Sequence, residues 1–348
     1  MQRPGAVEPG DIAPNFVLPD EAGRRIELDA DAVAGHFTVL IFFGGSALEA
    51  ARLQLASFAA AAPSFETHAA TLFGVGGQAP AANAAMREAG RFPFPLLADP
   101  GGQCRATYLG SASGEVSTVV LAPNRHVLAV INGAEDHAGR ALAAIAAAAA
   151  LRRTATVAAP HPPVLIVPDV LSRADCQHLI TVFALQGHVW VQPGHGQQMP
   201  PHDYKVRVPE YGRRDRIDHF IVNRETNDVI HSRFHARLFP EIKKAFQYDI
   251  TRYEPYRIAC YEGERGGELH GHRDNTLPIV AHRRFAVSVN LNIEEFEGGE
   301  LRYPEFGGET YRPETGAAIA FSCSILHEAL HVTKGRRYVL LAFLGGEH

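Results

Sequence analysis

The chain has 348 residues, of which 46% are hydrophobic and 20% are charged, and its formal net charge is -5. One hydrophobic core rarely grows to this length, so two domains are expected. The composition excludes a disordered or fibrous protein, and the negative charge argues against nucleic acid as a partner.

The four cysteines, Cys104, Cys176, Cys260 and Cys323, form no C-x-x-C pair. Neither a disulfide framework nor a cysteine-ligated zinc site is therefore expected, and a reducing compartment is favoured. The N-terminal residues lack the apolar core of a signal peptide, and the longest apolar run, residues 141–151, is too short to cross a bilayer. These features predict a cytoplasmic protein with no membrane partner.

Strands and helices alternate along the first 150 residues. Residues 38–44 form a short apolar run rich in β-branched and aromatic side chains, which predicts a strand buried on both faces. The other predicted elements are helix 47–62, strand 70–75, helix 81–89, strands 116–121 and 127–131, and helix 140–151. This alternation predicts an α/β domain with a central sheet covered by helices.

A proline-rich segment interrupts this alternation at residues 152–164, which contain three prolines and no hydrophobic periodicity. We therefore place the domain boundary in this segment. Residues 1–157 are expected to form the first domain, residues 158–163 the linker and residues 164–348 the second domain.

The second domain begins with helices and continues with short strands. Ser172 and Asp175 form a predicted capping box before a helix over residues 173–183. A second helix is predicted near residues 226–246, and strands are predicted at 257–261, 285–293, 300–303, 317–321 and 338–344. Many short strands after a helical start predict a β-sandwich or jelly roll with helices on one side.

His272 and Asp274 are candidate metal ligands. Residues i and i+2 of a strand point to the same side, so these two would present a nitrogen and an oxygen together. Of the 18 histidines, only His272 has an Asp two residues later, but such a pair also arises by chance in a chain of this composition. His270 would share the same strand face, either beside the site or at a solvent-facing strand end.

A third imidazole and a cation follow: His327 precedes an apolar strand, and Arg337 stands ten residues later. Two imidazoles and a carboxylate on one side of iron(II) leave the other side open for a cosubstrate and dioxygen. Arginine binds a carboxylate through two parallel hydrogen bonds, which suits a dicarboxylic cosubstrate. These residues predict a non-haem iron(II) centre on His272, Asp274 and His327.

Further motifs accompany these residues: Tyr261-Glu-Gly-Glu, Gly298-Gly-Glu-Leu, Pro313, Gly316, and the helix-start segment at 170–180. Together they resemble the prolyl 4-hydroxylase-type family of 2-oxoglutarate-dependent oxygenases over residues 163–348. The resemblance implies a double-stranded β-helix, or jelly-roll, domain with flanking helices. It also implies iron(II) on the three predicted ligands, and 2-oxoglutarate held by Arg337 and the Tyr261 hydroxyl.

The same resemblance implies a hydroxylase that uses dioxygen, with ascorbate as reductant and with release of succinate and CO2. Its substrate would be a prolyl or other amino-acid side chain in a peptide, a free amino acid or a small molecule. One residue departs from the family pattern. His331 stands where the family often has Pro, and it either lines the site or, as we expect, caps a strand.

The segment from His327 to His331 also satisfies the zinc-protease motif H-E-x-x-H, with Glu328 as the general base. That chemistry needs a helix and a third downstream ligand. Only Glu347 and His348 are available, so a zinc metalloprotease is not expected. A non-catalytic metal-binding or adaptor protein remains as the alternative to the oxygenase.

The first half contains Gly-Asp-Ile-Ala-Pro-Asn-Phe at 10–16, Phe-Pro-Phe-Pro-Leu-Leu-Ala-Asp at 92–99 and Ser-Thr-Val-Val-Leu at 117–121. With the strand that ends at Phe43, these segments resemble the peroxiredoxin branch of the thioredoxin-like fold over residues 5–152. A peroxidatic thiolate is needed directly after that strand, where residues 44–53 contain no Cys. Cys104 comes too late, so we expect a catalytically silent module that scaffolds, recruits substrate or forms a homodimer.

The segment from Lys205 to Arg216 is rich in basic residues. It is expected to be either a solvated charged loop or a lid that pairs with an anionic group of the substrate, because long loops beside active sites often carry specificity.

Overall fold

The structure, a computed structural model, describes residues 6–28, 33, 35–44, 48–110, 116–133, 136–150, 161–185, 188–191, 199–210, 214–265 and 267–347. The chain divides into two units, Met1–Thr156 and Val157–His348. Most of the predicted linker lies outside the described residues, since only residues 161–163 of it are described.

The first unit is an α/β domain. Its strands are β1 (Val17–Pro19), β2 (Arg25–Glu27), β3 (Phe37–Phe43), β4 (Ala70–Gly76), β5 (Leu96–Ala98), β6 (Val116–Leu121) and β7 (Val127–Asn132). Its helices are α1 (Leu48–Glu66), α2 (Pro80–Gly90), α3 (Gln103–Leu109) and α4 (His137–Ala150). Five strands form one sheet in the order β5-β4-β3-β6-β7, with β4 parallel and β6 antiparallel to β3.

Strand β3 lies at the centre of this sheet, and all seven of its residues are buried. Val39 and Ile41 pack with Leu55 of α1 on one face of the sheet. Phe42 packs with Tyr108 of α3 on the other face. Since helices cover both faces, six of the seven residues are apolar, Thr38 being the exception, and the predicted buried strand is confirmed.

The second unit is rich in sheet. Its helices are α5 (Arg173–Leu185), α6 (Arg224–Arg233) and α7 (Phe239–Phe246), with a π-helical segment at Phe234–Leu238 between the last two. Its strands are β8 (Val164–Val167), β9 (Val189–Trp190), β10 (Tyr204–Glu210), β11 (Arg214–Phe220), β12 (Arg252–Tyr253), β13 (Arg257–Glu262), β14 (Leu269–His272), β15 (Phe285–Asn290), β16 (Phe296–Gly298), β17 (Leu301–Arg302), β18 (Thr310–Tyr311), β19 (Ala318–Ser322), β20 (His327–Ala329) and β21 (Val332–Gly345).

Two sheets of this unit position the candidate site. The larger sheet has ten strands, eight along the path β8-β19-β15-β21-β13-β11-β10-β9 and two more, β12 and β16, that pair with β21; the smaller sheet has the order β14-β20-β17-β18. One apolar core joins the larger sheet to α5, α6 and α7. A second core combines residues of both sheets, including Val339 of β21 and Ala329 of β20. The helices therefore pack on one side of a sheet-rich domain, as expected.

Element boundaries differ from the predictions at several places. Strand β21 is 14 residues long, about twice the predicted strand, because its first half pairs with β16 and its second half with β13 and β15. Gly298 (φ 76°) and Gly299 (φ 71°) carry the chain from β16 in one sheet toward β17 in the other. The turn between the two sheets therefore lies at Gly298 and Gly299.

None of the helices within the described ranges combines the length and the apolar character that crossing a membrane requires.

Candidate metal centre

A pocket lies between the two sheets of the second unit. Its volume is about 520 Å³, counting the part that opens to solvent. The larger sheet contributes most of the lining and the smaller sheet the remainder. The lining residues are Arg216, Arg257, Tyr261, Leu269, His272, Asp274, Ala286, Val287, Ser288, Leu301, Phe321, His327, Ala329, Arg337, Val339, Leu341 and Phe343.

The three predicted ligands come together in this pocket. His272, at the end of β14, is paired with His327, at the start of β20. Asp274 lies in the turn after β14, where its backbone N–H donates to the Cys323 carbonyl at 2.9 Å. The Asp274 carboxylate lies 3.4 Å from Nε2 of each imidazole. One ligand atom from each residue lies within 4.8 Å of the other two, which leaves room for a metal ion between them.

The way in which Asp274 reaches the site differs from the prediction. Strand β14 ends at His272, and a bulge between Leu269 and His272 shifts the register against β20. Asp274 therefore reaches the site through the turn after β14, and not through the alternation of side chains along that strand. The ring of His270 is 57% exposed and pairs with Glu268. Only the backbone carbonyl of His270 supports the site, because it accepts a hydrogen bond from Nδ1 of His272 at 2.8 Å.

The two imidazoles present the same nitrogen to the cluster. Nδ1 of His327 contacts the Ile325 carbonyl at 3.0 Å, and Nδ1 of His272 contacts the His270 carbonyl. A carbonyl oxygen only accepts hydrogen bonds, so each Nδ1 carries a proton, and Nε2 is the nitrogen of each ring that faces the cluster as a potential ligand. Outer hydrogen bonds of this kind orient histidine ligands in metal sites.

The electrostatics of the cluster suit metal ligands. Burial lowers the pKa of His327, which favours its neutral, ligating form. Burial also opposes ionisation of Asp274, but the hydrogen bond with His272 and the charge of His327 outweigh it and lower the pKa of Asp274. Burial alone would lower the pKa of His272, but the hydrogen bonds with Asp274 and the His270 carbonyl and the charge of Asp274 together raise it, so a metal ion at this site would displace a proton from Nε2.

The two predicted cosubstrate residues, Tyr261 and Arg337, lie in one row with Arg216 across three neighbouring strands. Tyr261 of β13 is directly opposite Arg337 of β21 on one side and Arg216 of β11 on the other. The Arg337 guanidinium lies 5.2 Å from the centre of the Tyr261 ring and donates to Asn290 Oδ1 at 3.4 Å. Arg337 is 3% exposed, and burial lowers its pKa. A buried guanidinium of this kind needs an anion as partner.

Two polar residues that line the pocket, Arg257 and Ser288, were not among the predicted site residues, and neither was Asn290, which contacts Arg337. Arg216 was predicted to lie in a charged loop, but it lies in β11 and lines the pocket. Its Nη1 donates to the Tyr261 hydroxyl at 3.2 Å. The sequence of this strand, Arg-Asp-Arg-Ile-Asp-His-Phe at 214–220, does not alternate between polar and apolar residues, so hydrophobic periodicity did not predict it.

The predicted lid is part of the larger sheet. Strands β10 and β11 pair over Tyr204–Glu210 and Arg214–Phe220 as an antiparallel hairpin. Lys205 is 6% exposed, and its ammonium donates to the Phe183 carbonyl at 2.5 Å, so it cannot face a substrate. The described part of the segment is therefore a pair of strands and not a loop; Lys205 does not reach the pocket, whereas Arg216 lines it. Residues 211–213 lie outside the described residues.

The zinc-protease motif lies on a strand. His327 and Glu328 belong to β20, and Glu328 points away from the metal cluster to pair with Arg302 at 2.6 Å. His331 is 45% exposed, with Nδ1 3.9 Å from Glu268, and does not join the cluster. Glu347 pairs with Arg252 on the surface, and His348 lies outside the described residues.

The first unit offers no activated thiol within its described residues. Cys104 is buried in α3, and burial together with the charge of Asp99 raises its pKa to about 12. The nucleophilic form of cysteine is the thiolate, so this thiol is inert near neutral pH. Residues 45–47, which follow the central strand, lie outside the described residues, and their sequence contains no Cys.

Comparison with known proteins identifies the first unit. The model of the AhpC/TSA family matches residues 9–129. Chloroplastic peroxiredoxin Q of rice (Oryza sativa subsp. japonica) is 29% identical over 147 residues, which are 40% of this chain and 66% of the rice protein. The crystal structure of peroxidoxin BcpB from Mycobacterium tuberculosis is 26% identical and covers 42% of this chain, with a TM-score of 0.37. The N-terminal domain is therefore peroxiredoxin-like, with a thioredoxin-like fold.

One further similarity concerns a hydroxylase. The multifunctional procollagen lysine hydroxylase and glycosyltransferase of Caenorhabditis elegans is 30% identical over 91 residues. This region is 25% of the present chain and 12% of the nematode protein. The shared region is thus a small part of that enzyme.

Proposed function

We propose that the second domain is an Fe(II)- and 2-oxoglutarate-dependent dioxygenase that hydroxylates an unactivated C–H bond. The observation that carries this proposal is the convergence of His272, Asp274 and His327 in a pocket that also contains the Arg337 guanidinium. On this proposal the two sheets of the domain are the halves of a double-stranded β-helix. The similarity to a lysine hydroxylase supports the reaction class.

The donor set fits iron(II). Two neutral imidazoles and one carboxylate from a strand end, a turn and a second strand leave the remaining positions of a six-coordinate ion for exogenous ligands. When bound there with 2-oxoglutarate and dioxygen, iron(II) supplies an oxidant for C–H hydroxylation, with release of succinate and CO2, and ascorbate keeps the metal reduced. The protein's own residues would bind the metal and the cosubstrate, orient the substrate and shield the reacting bond from water.

Arg337 and Tyr261 would hold the distal carboxylate of 2-oxoglutarate. Arg337 keeps its orientation through Asn290 and through its position over the Tyr261 ring. Apolar side chains such as Val339 and Phe321 line the pocket beside these residues and keep water from the reacting bond. The substrate would be a prolyl, lysyl or other amino-acid side chain in a peptide, a free amino acid or a small molecule.

For the first domain we propose a non-catalytic role in a cytoplasmic protein. It would scaffold the oxygenase, recruit its substrate or form a homodimer. The absence of a Cys at the peroxidatic position of the sequence supports a silent module.

Succinate formation from 2-oxoglutarate tests the proposal. The purified protein is incubated with Fe(II), ascorbate, 2-oxoglutarate and dioxygen, with and without prolyl and lysyl peptides, amino acids and small metabolites. We expect substrate-stimulated succinate formation that Asp274→Ala abolishes. Glu328→Gln serves as the control that separates this function from a zinc protease, and we expect it to leave the activity unchanged. Weak iron binding and no stimulated turnover across the panel would instead favour a non-catalytic adaptor.

A further inference from the structure

Three arginines line the pocket, and they differ in how well their charge is compensated. Arg216 binds the Asp218 carboxylate through Nε at 2.8 Å and through Nη2 at 3.1 Å. Arg257 reaches the same carboxylate only through Nη1 at 3.4 Å. Among the described residues, Arg337 has no carboxylate within ion-pair distance. One aspartate therefore serves two of the three guanidinium groups.

The pKa values report the same difference. For Arg216 the pKa is raised, because Asp218 and Tyr261 outweigh the effect of burial. For Arg257 and Arg337 the pKa is lowered, because burial outweighs the nearby groups. Both guanidinium groups still carry their charge at any physiological pH. Arg337 is therefore a buried cation and Arg257 a partly buried one, both with incomplete compensation, which is costly unless an anion binds.

The neighbouring charges do not supply that anion. Glu254 holds Arg283 through two contacts of 2.6 Å. Glu300 pairs with Arg312 at 3.3 Å. These pairs are neutral units beside the pocket. The excess of positive charge therefore belongs to the pocket itself.

A count of formal charges shows how large this excess is when the centre is loaded. Three guanidinium groups face two carboxylates, Asp218 and Asp274, which leaves one positive charge. Iron(II) adds two positive charges and 2-oxoglutarate removes two. One positive charge then remains for the substrate to compensate. A single charge matches a carboxylate better than a phosphate dianion.

The position of Arg257 separates it from the predicted cosubstrate residues. Arg257 is opposite Leu341 on β21, whereas Tyr261 is opposite Arg337. Four residues along a strand correspond to roughly 13 Å between backbone positions, so Arg257 and Arg337 enter the pocket from different places along its wall. The Arg257 guanidinium lies between the rings of Phe220 and Phe343, 5.5 and 4.8 Å from their centres. This packing holds it at the pocket wall.

We propose that the substrate of this site carries a carboxylate and that Arg257 binds it. The proposal rests on the proposed dioxygenase function and names its substrate class. The carboxylate can belong to the terminus of a small acyl amino acid or to an acidic side chain of a peptide. Arg257 is thus a specificity-determining residue, distinct from the cosubstrate-binding Arg337.

Binding of matched acids and amides to the full-length protein tests this proposal. The protein is loaded with Mn(II) and saturated with 2-oxoglutarate under anaerobic conditions, so that binding is measured without turnover. The probes are acetate, N-acetyl-L-proline and N-acetyl-L-leucine, with the two corresponding amides. An end-blocked peptide containing Glu, and its Gln counterpart, form the second arm. Calorimetric titration should show acids binding at least about 10-fold more tightly than their amides.

Variants locate the effect at Arg257. Arg257→Gln should weaken acid binding by about 10- to 100-fold and leave 2-oxoglutarate binding unchanged. Arg257→Lys should retain part of the acid affinity, because it keeps the positive charge. Arg302→Gln, on the surface, is the control. If 2-oxoglutarate itself does not bind, the proposed function fails and this inference with it. Two results would contradict this inference alone, provided that 2-oxoglutarate binds. In the first, the acids bind no more tightly than their amides; in the second, the acids bind Arg257→Gln as tightly as they bind the unsubstituted protein.

Discussion

The two imidazoles of the candidate centre have unequal surroundings. His327 is 7% exposed and packs 4.6 Å from the centre of the Phe321 ring, whereas His272 is 33% exposed. Since both present Nε2 to Asp274, the ligand set has one closed side and one side near solvent. On the proposed function, the cosubstrate and the substrate would enter from the side of His272.

The histidines of the H-E-x-x-H segment provide a matched pair for testing metal binding. His327→Ala should weaken Mn(II) or Fe(II) binding on the order of 100-fold or more, because it removes one of three protein ligands. His331→Ala should leave the affinity unchanged, since its half-exposed ring lies near Glu268 and outside the cluster. Anaerobic calorimetry measures both. Equal effects of the two substitutions would contradict the assignment of the ligands.

A second polar cluster, around Asp203, predicts how stability depends on pH. The Asp203 carboxylate accepts hydrogen bonds from the backbone N–H groups of Val222 and Asn223 at 2.7 Å and contacts His219 Nε2 at 2.8 Å. Burial alone would raise the pKa of Asp203, but these bonds lower it below its usual value of 3.8. A folded-state pKa below the unfolded one means that the stabilisation is present above the unfolded pKa and lost as pH falls through the folded one.

Asp203→Asn should therefore reduce the free energy of unfolding at neutral pH by about 1–3 kcal/mol. The difference from the unsubstituted protein should shrink as the pH falls below about 4, because the unsubstituted carboxylate then becomes protonated. Denaturant titrations at several pH values, followed by the fluorescence of the single tryptophan, Trp190, measure this difference. A difference independent of pH would argue against an ionised Asp203.

At the scale of elements, the turn between the two sheets depends on glycine. Gly298 has φ 76°, and a Cβ at this position would overlap the His331 carbonyl oxygen. The neighbouring Gly299 also has positive φ. A side chain here would force the start of β17 away from β20, and β20 carries His327.

Gly298→Ala should lower the free energy of unfolding by about 2–4 kcal/mol, because it adds both backbone strain and a clash with the backbone. Gly308→Ala is the matched control, since a Cβ there meets no atom within 4 Å. We expect the control to stay within about 0.5 kcal/mol of the unsubstituted protein. Denaturant unfolding of both variants checks this. Similar losses in both would show that the turn geometry is not responsible.

At the scale of the whole molecule, a peroxiredoxin-like domain is joined in one chain to the candidate oxygenase. Its AhpC/TSA match covers residues 9–129, yet its sequence lacks the thiol that peroxide reduction requires. The one cysteine of this domain, Cys104, is buried, with a pKa of about 12. On the proposed non-catalytic role, this domain would keep the fold without peroxide reduction.

The full-length protein should accordingly show no thiol-dependent reduction of hydrogen peroxide or alkyl hydroperoxides above the uncatalysed rate. Cys104→Ser should behave like the unsubstituted protein, because the buried thiol does not form a thiolate near neutral pH. A coupled peroxidase assay with dithiothreitol as reductant measures both. Peroxide turnover that disappears in Cys104→Ser would overturn the view of a silent domain.

Local patterns in the sequence were sufficient for much of this description. The apolar run around Val39 predicted a strand buried on both faces, and Ser172 with Asp175 predicted the capping box, whose two reciprocal backbone hydrogen bonds of 3.0 Å confirm it. The positions of His272 and His327, and the missing peroxidatic Cys, could also be read from the chain. Each of these features depends on residues close in sequence.

Only the tertiary structure decided which of the polar residues share the pocket. The bulge in β14 turned the His270 ring outward, and the turn after it brought Asp274 inward. The pairing of β11 with β13 placed Arg216 beside Tyr261, although 45 residues separate them. Register between distant strands is set by long-range pairing, and a single extra residue reverses which face a side chain occupies. Sequence spacing therefore identified the ligand types, whereas strand pairing determined the site.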